Sequence, residues 1–146
     1  MKSYDPRMHT AEHILNQTMT RMFDCGRSFS SHIEKKKSKC DYHFTRSLSL
    51  DEEIELTRRV NEVISRNLDV KEQFLSVAEA SKMFNLSRLP EDAGDEVRIV
   101  IVGDYDACPC IGPHVQNSSE IGSFQLISSS WEHDILRVRF KLAETD

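Results

Sequence analysis

The chain reads as an α+β fold, a mainly antiparallel sheet packed with an N-terminal helix and a long middle helix. Three observations carry this. Apolar residues recur with helical period over residues 8–24 and again over 50–67. The run Glu96-Val97-Arg98-Ile99-Val100-Ile101-Val102 is rich in β-branched residues. The segment Ile135-Leu136-Arg137-Val138-Arg139-Phe140 alternates between apolar and charged side chains, as a strand with one wet face does. No internal repeat, low-complexity block or linker breaks the pattern, so residues 1–146 are expected to form a single domain. A chain of 146 residues buries roughly two-thirds of its unfolded surface, so it needs neither a metal nor a disulfide merely to fold.

In order along the chain, Met8, Ala11, Ile14, Leu15, Met19, Met22 and Phe23 predict a helix to about Asp24, with Gly26 as its stop. His9, His13, Gln17 and Thr20 fall on a neighbouring face. Residues 28–44 predict strand, loop, strand, with a lysine run at the turn. Ser49 and Glu52 have the spacing of a capping box, and Leu50, Ile54, Leu56, Val60, Val63, Ile64 and Leu68 make the stripe of a helix over 50–67. A short strand over 70–75, a short helix over 77–84 and the β-branched strand over 95–102 follow. Strands over 124–128 and 135–142 are expected to form a hairpin joined around residues 131–134.

Composition narrows the class. The N-terminus shows no basic segment followed by an apolar run and a small-residue cleavage site, and no stretch approaches the roughly 20 apolar residues that span a bilayer. Cys25, Cys40, Cys108 and Cys110 are therefore expected to be thiols in a cytoplasmic protein, with no membrane partner. A formal charge of -5 argues against general attraction to nucleic-acid backbones, DNA included. Lys35, Lys36, Lys37 and Lys39 form a local exception that could meet a few phosphates or simply make a solvated loop.

The residues that carry chemistry lie in two distant clusters. His9 and His13, four apart on the first helix, aim both imidazoles the same way. Cys110 and His114 flank a Gly112-Pro113 step that cannot sustain a helix and implies a bent loop. Each pair alone is a weak motif, since buried histidines and cysteines are common. Together they make a donor set that zinc prefers.

The segments His9-Thr10-Ala11-Glu12-His13, then Asp104-Tyr105-Asp106-Ala107-Cys108-Pro109-Cys110-Ile111-Gly112-Pro113-His114-Val115, then Glu120-Ile121-Gly122-Ser123-Phe124, resemble the editing domain of alanyl- and threonyl-tRNA synthetases. The same domain occurs as free-standing AlaX-type proteins, and the absence of synthetase segments makes a trans-acting version the expectation. The resemblance implies zinc held by His9, His13, Cys110 and His114, and hydrolysis of the ester between a wrong amino acid and the tRNA 3′ end. Seryl-tRNA(Ala) is the expected substrate, with seryl-tRNA(Thr) or glycyl-tRNA(Ala) as alternatives. Residues 111–115 look closer to the threonyl form, and residues 9–13 and 120–122 to the alanyl form. Only Cys110, not Cys108, keeps the family's spacing to His114.

Thr10, Asp41, Gln116, Ser118 and Gly122 are the candidates for substrate contacts, and no catalytic residue is assigned. Ser119 stands where alanyl-type members often carry glycine, which puts the local backbone in question. A zinc-stabilised RNA-binding module without hydrolysis is the rival reading. A redox role for Cys108 and Cys110 is weaker, because their spacing is not that of a thioredoxin-like pair.

Overall fold

In the computed structural model, which describes residues 5–84 and 95–143, the first helix forms the centre of the molecule. Helix α1 spans Pro6–Phe23. Asp5 caps it by accepting hydrogen bonds from the Arg7 and Met8 N–H groups, and Pro6 at the first turn forfeits no hydrogen bond. It ends at Asp24, in the left-handed conformation at φ 54°, two residues before the predicted stop at Gly26. Residues 8–16 are all buried, so α1 is enclosed on every side rather than lying amphipathically on a surface.

Two sheets clasp it. Strands β1 (Ser30–His32), β2 (Ser38–His43), β6 (Phe124–Glu132) and β7 (Ile135–Leu142) form an antiparallel sheet in the order β1-β2-β7-β6. Strands β3 (Val70–Ser76), β4 (Glu96–Val102) and β5 (Asp106–Pro109) form a second, smaller one. The Tyr42 hydroxyl donates to Asn16 of α1 at 2.8 Å, while Thr18 and Gln17 of α1 bond Tyr105, just before β5, and Asp106, its first residue. Helix α2 (Leu50–Ser65) closes the core, and a short helix α3 (Val77–Met83) covers part of the second sheet.

The α+β class and the predicted helices and strands are present. Both arms of the capping box form, Glu52 N–H to Ser49 Oγ at 3.1 Å and Ser49 N–H to the Glu52 carboxylate at 2.9 Å. Several expectations need correction. Leu50 and Ile54 are 71% and 58% exposed, so the first turn of α2 stands clear of the core that Leu56, Val60, Val63 and Ile64 enter. Strand β5 was not anticipated, because Cys-Pro-Cys reads as a loop. The proline is accommodated at the last position of an edge strand, where a missing N–H costs no ladder bond. Residues 118–121 form a 3-10 turn that no periodicity signals. The hairpin of β6 and β7 turns at His133 and Asp134, both at positive φ, so β6 runs further than expected. Among the described residues no helix is long and apolar enough to cross a membrane.

Ser118 takes a structural position. It is fully buried, accepts the Leu68 N–H at 2.9 Å and donates to the Ile64 carbonyl at 3.0 Å, tying off the end of α2. Its predicted substrate contact is therefore overturned, because a side chain committed to helix-end groups has no hydroxyl to offer. Ser118→Ala is expected to cost about 1–3 kcal/mol by leaving the Leu68 N–H unpaired. The urea midpoint should fall while metal content per folded chain is unchanged.

Candidate metal centre

The two sequence clusters meet. One donor atom from each of His9, His13, Cys110 and His114 lies within 4.8 Å of the others, although the loop is about a hundred positions from the helix. The His9 and His114 rings stack with centroids 4.3 Å apart, and His13 meets both edge-on. Cys110 Sγ lies 3.3 Å from His9 Nε2. The loop is anchored from β4: the Cys110 N–H donates to the Arg98 carbonyl, and the Arg98 guanidinium donates to the carbonyls of Cys110 and Gly112 at 3.2 and 2.6 Å. Gly112 is required by proximity, since a Cβ there would lie 2.2 Å from His9 Cε1.

The outer contacts set which imidazole nitrogen faces inward. His9 Nδ1 lies 3.1 Å from the Pro113 carbonyl, which can only accept, so Nδ1 carries the proton and Nε2 keeps its lone pair. Thr10 Oγ1 donates to the Pro6 carbonyl at 2.9 Å and accepts the Val115 N–H at 3.2 Å. Its remaining lone pair faces His114 Nδ1 at 2.9 Å, which makes that nitrogen the donor and leaves the buried Nε2 of His114 without a hydrogen-bond partner. His13 Nδ1 faces the Asp106 carboxylate at 3.7 Å, an ion-pair distance rather than a hydrogen bond, and has no closer partner. Each outward nitrogen thus faces an oxygen. That is the outer-contact pattern which orients imidazoles for a metal.

Charge is concentrated here. Burial opposes ionisation of Cys110, but the facing imidazoles, His114 first and then His13 and His9, lower its thiol to about 3. Burial likewise opposes charge on His13. The Asp106 carboxylate, the Cys110 sulfur and Glu12 outweigh it and raise His13 to about 9. His114 is lowered to about 4 by burial and by the charges of His13 and His9. The metal-free centre at neutral pH is therefore a Cys110 thiolate beside a His13 imidazolium, with neutral His114. Asp106, buried, is lowered to about 2: desolvation acts against it, and His13 together with Arg27, whose guanidinium donates at 2.7 Å, prevails. Cys108 sits outside the cluster, and burial raises its thiol to about 12.

The other predicted contacts divide. Thr10 is at the centre but buried behind His114, where it orients the ring. Asp41 is not at the centre: Tyr42 points to α1, strand alternation sends Asp41 to the opposite face, and its carboxylate pairs with Arg137 at 2.8 and 3.0 Å. Gln116 is exposed two residues beyond His114, with its N–H on the Glu120 carboxylate. Gly122 is an exposed turn residue at φ 88°, ending the 3-10 segment before β6. Ser119 is absorbed into that capped turn, its N–H and hydroxyl both on Asn117 Oδ1. Sequence reading did not single out Arg27, Asp106, Arg98 or Glu12. Asp106 alone left a signal, as a carboxylate two and four residues before the cysteines.

A buried helix and an anchored loop presenting three imidazoles and a thiolate define an α+β domain with a centre that could hold a metal ion. Residues 97–137 match the family described as the threonyl and alanyl tRNA synthetase second additional domain. The chain is 34% identical over 125 residues to an alanine–tRNA ligase of Fervidobacterium nodosum, covering 85% of this chain and 14% of that protein. It is 32% identical over 131 residues to that of Bacillus subtilis, covering 89% and 15%. It thus spans about one-seventh of the length of these relatives. Over most of its length the chain is similar to part of alanine–tRNA ligases, as its motifs imply.

Asp106→Asn is expected to destabilise the metal-free protein by about 2 kcal/mol at pH 7, the linkage equivalent of the lowered carboxyl. A carboxyl with a depressed native value contributes fully above its ordinary 3.8 and loses that contribution as pH falls through about 2. Urea midpoints of the variant and the parent should converge over that window, whereas a constant gap would contradict the assignment.

Proposed function

We propose that the chain is a zinc-dependent aminoacyl-tRNA deacylase that removes serine from seryl-tRNA(Ala), with seryl-tRNA(Thr) and glycyl-tRNA(Ala) as alternative substrates. One observation carries this reading: Cys110 and three histidines converge, with their outer contacts in place, in a chain similar to alanine–tRNA ligases. His9, His13, Cys110 and His114 would hold the ion. The unpartnered Nε2 of His114 and the thiolate beside it suit zinc in donor type and number. When bound, zinc would polarise the ester carbonyl and hold the substrate's end. Four protein donors close a tetrahedron, so the positioning part of that role is the larger one.

The chain's own side chains do the rest. Arg98 and Thr10 hold the loop and the His114 ring in place, which keeps the centre preorganised for an ester that is already activated. The Glu12 carboxylate lies 3.7 Å from His9 Nε2 with its side chain 9% exposed, placed to hold the proton lost by the attacking water. Gln116, exposed two residues beyond His114, is the candidate partner for the serine hydroxyl. A site that hydrogen-bonds that hydroxyl can reject the alanyl ester by about 10⁴ to 10⁵. Such a reaction belongs in the cytoplasm, where tRNA is charged.

Incubation with the three mischarged tRNAs and their correctly charged counterparts, with and without chelator, tests the reading. Serine release that spares alanyl-tRNA and stops with chelator is the expected result. No release from any of them by zinc-loaded protein would end the deacylase reading. Cys110→Ser should lose zinc while Cys108→Ser retains it, by metal analysis of the purified proteins. Zinc binding at pH 7 should also expel about one proton, from His13. Its apparent affinity should therefore rise with pH until His13 titrates at about 9, measurable by calorimetry in buffers of different ionisation enthalpy.

A further inference from the structure

The open face of the four-stranded sheet carries a charge that the rest of the chain does not. Cys40, Tyr42, Leu136, Val138 and Phe140 enter the core, so the alternating residues of β2 and β7 face away from the helices. Register then places Lys39 opposite Arg139, Asp41 opposite Arg137 and Gln125 opposite Lys141. The exposed Lys35, Lys36 and Lys37 continue the patch at the tip of the β1–β2 hairpin. Against these seven cations stand Asp41, already taken by Arg137, and Glu34 at the hairpin tip, so the patch keeps a clear positive excess. None of the three tip lysines, nor Lys39, Arg139 or Lys141, has an acidic partner within 4.0 Å among the described residues.

Folding does not account for this arrangement. Like charges directly opposite on neighbouring strands are destabilising, and the chain as a whole is acidic at -5. Arg139 is held along the sheet by donating to the hydroxyls of Ser128 and Ser130, at 3.1 and 3.2 Å, which leaves its charge uncompensated. A polyanion relieves all of these repulsions at once. The segment that leads into β1, at the end of that strand away from the lysine tip, adjoins the Cys–His centre. Between α1 and β1, the Ser28 N–H donates to Asn16 of α1, and Arg27 pairs with the Asp106 that faces His13.

We propose that this sheet face and hairpin tip form the docking surface for the phosphodiester backbone of the tRNA whose 3′ end enters the Cys–His centre. The assignment rests on the deacylase reading for which tRNA is bound, and on charge and register for the surface itself. The contacts are to phosphate, so they supply affinity and orientation without reading bases.

The test uses the zinc-loaded full chain and a labelled tRNA(Ala) transcript, with binding followed by fluorescence anisotropy over a range of salt. Lys39→Gln/Arg139→Gln/Lys141→Gln is expected to weaken binding at least about tenfold and to reduce the log–log salt slope by about 2 to 3. Arg58→Gln/Arg59→Gln on α2, a control neutralisation of exposed arginines, should bind as the parent does. Should the triple variant fail to fold by circular dichroism, Lys35→Gln/Lys36→Gln/Lys37→Gln at the exposed tip serves in its place, with the same direction expected. Binding by the sheet-face or tip variant equal to the control would overturn the proposal, as would preference of the parent for phosphatidylserine vesicles over tRNA. Hydrolysis of seryl-adenosine, which has no backbone to dock, is measured in parallel and should be equal in parent and variants. Loss of that reaction in every protein, with the binding difference intact, would count against the deacylase reading and leave the docking surface standing.

Discussion

The approach of the Cys110–His114 loop to α1 is the constraint on which the rest of the structure depends. Gly112 packs so tightly against His9 that any side chain at that position would occupy the ring's space. The loop reaches that depth because Arg98 collects two of its carbonyls and Cys110 donates its N–H to Arg98 in turn. The helix can receive it because α1 is buried along its first half, with Asp5 and Pro6 setting where the first turn begins. A helix on the surface would present His9 and His13 to water. Enclosed between two sheets, it presents them to one loop.

That enclosure has an electrostatic consequence. Asp106 is buried between the guanidinium of Arg27 and the imidazole of His13, so one carboxylate both neutralises a half-buried cation and faces a ring of the Cys–His cluster. Breaking such a pair leaves a charge without compensation in a poorly solvating interior, so structure and site are coupled through the same group. The thiols show the opposite arrangement. Cys110 is ionised because imidazoles surround it, whereas Cys108, two residues away, stays protonated because burial dominates there. Sequence spacing and local electrostatics select the same sulfur.

The two faces of the larger sheet are equally unlike. The inner face is apolar and packs on the helices, while the outer face gathers lysines and arginines with few carboxylates among them. An acidic total charge conceals this, because net charge sums over positions that the fold sends to opposite sides. Asp41 shows how far placement decides role. Read along the chain it is a candidate for substrate contact, yet alternation puts it among the cations, paired with Arg137.

By itself the sequence determined the elements with strong periodic or capping signals: α1, α2 with its Ser49–Glu52 box, β4 and β7. These are local properties, fixed by side chains a few residues apart. It also picked out the four residues of the centre, since His9, His13, Cys110 and His114 form two motifs whose donor atoms the fold brings together. Tertiary structure alone decided that Ser118 ties off a helix, that Asp41 faces away from the centre, and that Asp106 and Arg27 stand behind His13. Strand β5 also escaped local reading, because its partner is an edge ladder with β4 rather than a pattern of its own. The physical reason is common to all of these. A hydroxyl or carboxylate takes its role from what lies within about 3 Å of it, and those neighbours come from elements far apart in the chain.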